Sequence, residues 1–143
     1  MNIIYCILLF SFIDFVLYNV WGKDYENQKV NVFRAFMLII QLVLTGFLFF
    51  ETWVNALCFN LLWWFGVADL LYYVYDLMVL KIFGYSFEDE NGQFWKKPLE
   101  YKMSWLWFTP MGLMLQEPVT KGEFLEQCVF GSGFTAVIYL SNL

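Results

Sequence analysis

Three aspartates stand inside long apolar runs, and they are the residues with the clearest chemistry: Asp14, Asp69 and Asp76. At hydrocarbon depth an ionisable side chain costs a few kcal/mol or more, so its presence demands a reason. Carboxyl groups facing a central cavity can hold a proton, bind a cation or shelter a carbocation. Asp76 follows Asp69 by seven residues, which puts both on nearly one helix face with Tyr72 and Tyr73 between them. Trp63 and Trp64 fall on the turn before Asp69, where ring faces would stabilise positive charge. A plainer reading also fits. The aspartates then serve as interhelical glue, bonded to Gln41, Tyr72 or Ser132, and the tryptophans as lipid contacts. Arg34 and Asp76 would form a structural pair at the inner ends of neighbouring spans.

Other chemistry is closed off. The chain has no histidine, so a His-ligated haem, a His–carboxylate metal site and a Ser-His-Asp triad are all excluded. Cys6, Cys58 and Cys128 lack the spacing of a zinc or dithiol motif and are expected to be unreactive and buried. No metal and no cofactor is expected. The formal charge of −5 speaks against a nucleic-acid partner, which would want a basic face.

The elements that must position these residues follow from composition. Of the 143 residues 61% are hydrophobic and only 15% charged, against about 45–50% and about 25% in a soluble domain. A chain this short has too much surface per volume to bury that apolar content. An all-α helical bundle, polytopic in a membrane and forming one domain over 1–143, is expected. The apolar runs give five segments, at about 3–20, 32–50, 55–83, 99–116 and 123–140. A tight hairpin at Glu51–Asn55 divides the second from the third. The fourth is short and carries Pro110 and Gly112, so it reads as kinked or re-entrant. Seven of the eight basic residues, all but Lys121, then lie on one side. By the positive-inside rule, loops 21–31 and 84–98 are inside and the N-terminus outside, in a bacterial inner membrane or an organellar membrane. A re-entrant fourth segment would move Lys121 inside as well.

In this arrangement Asp14 lies roughly 16 Å and Asp69 roughly 21 Å from the outer face, at 1.5 Å per residue. Gln41 falls in the same central layer. No Lys or Arg reaches that layer, so Asp14 and Asp69 are expected to approach one another with at least one of them protonated.

The stretch Tyr75-Asp76, Gly84 to Phe87, Pro98-Leu99-Glu100-Tyr101, Trp105 to Phe108, Pro110 and Glu117 resembles the membrane lycopene cyclase domain family. The match spans about Tyr75 to Glu117, under a third of the chain. Tyr101 stands where that family has a second carboxylate, and the Trp usual in the Gly loop is missing. The resemblance implies a cofactor-free isomerase of carotenoid biosynthesis, cyclising an isoprenoid end group by acid-initiated carbocation chemistry. It implies Glu100 as the acid, in the first turn of a helix opened by Pro98, and Asp76 as second carboxylate. The residue reading adds Asp69 to the catalytic set and Asp14, Tyr72, Tyr73, Trp63, Trp64 and Trp107 as lining or stabilising groups; Trp107, seven residues after Glu100, shares its face. An apolar isoprenoid or lipid would be the ligand.

Two other functions fit the same sequence. One is a non-catalytic accessory subunit, with a protein partner or a second copy in the bilayer and Gly131-Ser132-Gly133 as a close-packing patch. The other is a proton- or cation-coupled transport component using Asp14 and Asp69.

Overall fold

A computed structural model of the chain describes residues 2–22, 29–87, 94–103, 109–115 and 118–143. The protein is an all-α bundle. Helix α1 (Ile3–Leu17) is capped by the Asn2 side chain, which accepts from Ile4 N at 3.0 Å, and runs into a π-helical turn at Tyr18–Gly22. Helix α2 (Lys29–Glu51) and helix α3 (Trp53–Trp64) are separated by Thr52 alone. Thr52 is extended (φ −154°) and its hydroxyl accepts from Asn55 N at 3.2 Å, so one residue ends one helix and caps the next. This is the hairpin expected at Glu51–Asn55. Its arms are laced by Gln41 donating to Asn60 Oδ1 and Asn60 donating to Thr45 Oγ1, both at 2.9 Å.

Residues 55–83 do not form one helix. The chain breaks at Phe65–Gly66 and continues as α4 (Val67–Phe83), bent by 64° from α3. Gly66 has φ +79°, a conformation that favours glycine, and a Cβ there would come within 2.7 Å of the Phe124 ring. Gly84, also left-handed at φ +76°, ends α4.

The fourth segment also departs from expectation. Pro98 opens no helix: residues 99–100 form a turn, and Lys102–Met103 (β1) pairs antiparallel with Val119–Thr120 (β2), Lys102 opposite Thr120 and Met103 opposite Val119. Only the six-residue α5 (Pro110–Leu115) is helical between them among the described residues. Helix α6 (Lys121–Leu140) starts from a capping box in which Thr120 accepts from Glu123 N and the Glu123 carboxylate accepts from Thr120 N at 2.8 Å.

One apolar core joins α1, α2 and α3 around Cys6, Phe10, Leu48, Cys58 and Phe59. A second joins α4, the 94–103 segment and α6 around Tyr73, Phe94, Met103, Val119 and Phe124. Helix α6 runs antiparallel to α3, with Cys58 against Thr135 and Phe65 against Cys128. By length and composition one helix, Ile3–Val20, can cross a membrane, and α3 with α4 passes the same test as a bent pair.

Candidate functional site

Breaking a helix frees backbone carbonyls, and the polar residues of the neighbouring helices answer them. Phe65 O accepts from Gln127 Nε2 (3.2 Å) and from the Cys128 thiol (3.4 Å), both on α6. The other end of the Gln127 amide accepts from Met111 N at 2.8 Å, so this one side chain ties the break to the first turn of α5. From α1, the fully buried Ser11 hydroxyl donates to Ala68 O in the first turn of α4. Gly131 allows the approach of α6: a Cβ there would sit 2.3 Å from Phe65 Cβ. The Gly131 patch is therefore used inside the fold, while Gly133, two residues on, has open space around it.

Asp69 stands in the first turn of α4, immediately after the break, where the helix N-terminus favours an acidic side chain. Asp14 comes from α1, three residues after Ser11, on the face that α1 turns to α4. The two carboxyls lie within Coulombic range of each other, and the Cys128 thiol lies within that range of Asp69. Among the described residues no hydrogen-bond donor reaches either carboxyl. Rings border this face of α1: Phe15 meets Tyr72 edge-on at 5.2 Å between centroids, and Tyr18 meets Tyr72 at 5.7 Å. The Tyr72 hydroxyl pairs with the Asn19 side chain (3.2 Å).

The remaining sequence candidates fall elsewhere. Asp76 is only 5% exposed, and its carboxylate accepts from the Ser86 hydroxyl (2.5 Å) and from Phe87 N (2.8 Å). It thus clasps the turn that follows α4. The side chain of Arg34, its expected partner, lies outside the described residues, as does the whole of Trp107. Tyr73 turns toward the 94–103 segment: its ring stacks on Phe94 at 4.0 Å and its carbonyl accepts from Trp95 Nε1 at 3.0 Å. Trp63 packs on the α1–α3 core, and Trp64 is exposed beside the Phe65 ring. Gln41 serves the α2–α3 hairpin. Glu100 is exposed in the turn before β1, not in the first turn of a helix, because Leu99 O and Tyr101 O accept from Gly122 N and Lys121 N and hold that turn against the start of α6.

Sequence reasoning missed Ser11, Gly66, Gln127 and the second role of Cys128. A weak signal existed: Ser11 and Gln127 are polar residues inside apolar runs, as Asp14 and Asp69 are. No protein-family model, curated protein or solved structure matches the chain.

Proposed function

We propose that the protein is a small four-pass membrane protein whose working centre is the Asp14–Asp69 pair, and that the pair takes up and releases a proton. The observation that carries this is two carboxyls within Coulombic range of each other, without hydrogen-bond donors from the described residues, beside a break in a helix. Two adjacent carboxylates in a low-dielectric interior cannot both ionise at low cost, so the pair holds at least one proton and exchanges it as a unit. Discontinuous helices that put coupling sites near the bilayer midplane are a recurrent device of membrane transporters.

The membrane reading is supported by the surface. Leu42 and Phe50 on α2 are 70% and 90% exposed and Val129 on α6 is 75% exposed, and such apolar surface is more than a soluble monomer presents to water. Four crossings (α1, α2, the bent α3–α4 pair and α6) fit the charge pattern better than five. The Lys121 ammonium donates to Lys97 O (2.8 Å) and Trp95 O (3.4 Å), so Lys121 shares a side with the 94–103 segment. All eight basic residues then gather on the inner side, and both termini lie outside. The helix break is beside residues 127–131, about 9–15 Å into α6 at 1.5 Å per residue, which is an intramembrane depth. The cyclase reading draws less support, since its acid, Glu100, is exposed to solvent in a turn.

The test is reconstitution into vesicles loaded with a pH-sensitive dye, under an imposed proton gradient. The wild type should dissipate the gradient faster than empty vesicles, and Asp14→Asn and Asp69→Asn should each abolish the difference. Infrared spectra should contain a protonated carboxyl band that either variant removes. Two ionised carboxylates at neutral pH, with no flux, would reject the proposal.

A further inference from the structure

The segment 94–103 is a basic foot at the end of the bundle, built and held in a particular way. Its ten residues contain Lys96, Lys97 and Lys102 against one acid, Glu100. Trp95, Leu99 and Tyr101 are exposed beside those lysines, and Lys97 Nζ lies over the Tyr101 ring at 4.5 Å. Lys102 is within Coulombic range of Glu123, so among the described residues of this segment Lys96 and Lys97 carry most of the uncompensated charge.

The foot is fixed to the bundle by a buried cation. Lys121 is 5% exposed; its ammonium donates to Trp95 O and Lys97 O and sits 4.8 Å from the Phe94 ring centroid. Backbone bonds from Lys121 N to Tyr101 O (2.8 Å) and from Gly122 N to Leu99 O (2.9 Å) complete the attachment. Trp95 Nε1 on Tyr73 O ties the same segment to α4. A loop needed only to connect α4 to α6 would not require this much anchoring. The anchoring presents two ammonium groups, an indole, a phenol and the Leu99 side chain together at one end of the bundle.

We propose that this foot is a docking surface for the headgroups of anionic phospholipids in the inner leaflet; the proposal rests on the membrane reading above. Lys96 and Lys97 meet the phosphates, and Trp95 and Tyr101 occupy the headgroup layer, where amphipathic rings are favoured. Leu99, 58% exposed, reaches toward the acyl chains. Charge complementarity chooses anionic over zwitterionic lipid: a lysine near such a surface contributes about 1 kcal/mol, or about fivefold in partition.

The experiment uses the full chain in vesicles that carry a spin-labelled lipid, either phosphatidylglycerol or phosphatidylcholine, and measures the lipid immobilised at the protein. The wild type should enrich the phosphatidylglycerol probe severalfold at low salt, with the preference falling as salt is added. The variant Lys96→Gln with Lys97→Gln should bring the two probes to parity at unchanged helix content, because Lys96 is exposed, Lys97 is half-exposed, and the attachment of the segment uses the Lys97 carbonyl rather than its side chain. Equal immobilisation of both probes by the wild type overturns the proposal while leaving the membrane reading intact. A preference that survives the double substitution also overturns it. If neither probe is immobilised, the membrane reading fails and the proposal with it.

Discussion

Two glycines on one helix should respond in opposite ways to the same substitution. In Gly131→Ala the new Cβ falls 2.3 Å from Phe65 Cβ and Cγ, whereas carbon atoms pack at about 3.5–4.0 Å. Neither Phe65 atom is the free end of a flexible chain, so α6 must retreat from α3 by more than roughly 1 Å. That retreat stretches the 3.2 Å bond from Gln127 to Phe65 O beyond the ~3.5 Å at which a hydrogen bond survives. Overpacking costs about 1–3 kcal/mol and the lost bond about 1 kcal/mol. The helix propensity of alanine returns up to about 1 kcal/mol, leaving a net loss of about 1–3 kcal/mol. In Gly133→Ala nothing lies within 4 Å of the new methyl, so only the propensity gain remains, up to about 1 kcal/mol. Reversible unfolding of both variants in mixed micelles, followed by far-UV circular dichroism, measures the contrast. Equal stabilities, or Gly131→Ala the more stable of the two, would show that α6 does not press on the break as described.

Other substitutions test the remaining joints. Asp76→Ala removes the acceptor of Ser86 and Phe87 N, each bond to a charged group being worth about 1.5–3 kcal/mol, and should speed hydrogen exchange of residues 84–87 while sparing the hairpin. Lys121→Met leaves the Trp95 and Lys97 carbonyls without their donor and should destabilise the β1–β2 pairing by about 1–3 kcal/mol; Lys96→Met, at an exposed site, should change stability by less than about 0.5 kcal/mol. Thr52→Ala should cost about 1 kcal/mol through loss of the α3 cap, read from the same micelle unfolding experiment. Gln127→Leu should cost more than Ser11→Ala, since it leaves Met111 N without its acceptor, about 1–3 kcal/mol, and leaves Phe65 O with the weaker Cys128 thiol alone.

Much of the helical framework is legible from composition and local pattern. The apolar runs mark α1, α2 and α6, and the polar cluster Glu51–Asn55 marks the hairpin, which Thr52 completes by capping α3. Asp14 and Asp69 stand out because acids in apolar surroundings are expensive, and counting residues from one face put them in a common layer. These features depend on neighbours in sequence.

What only the tertiary structure decided depends on distant partners. Residues 55–83 read as one uninterrupted apolar run, and nothing local announces that Gly66 is left-handed or that the chain turns by 64° there. The break is tolerable because Gln127 and Cys128, more than sixty residues away, take up Phe65 O, and because Gly131 lets them come close. Depth alone matched Asp76 to Arg34, whose side chain lies outside the described residues, and gave no sign that the carboxylate accepts from Ser86 and Phe87 N. Pro98 suits the first turn of a helix, but the Lys121 ammonium and the backbone of 121–122 hold that stretch as a turn and strand, leaving Glu100 in solvent. Local periodicity reports which residues prefer an apolar setting. It carries no account of which carbonyls are left over when helices cross, and satisfying those carbonyls fixed this site.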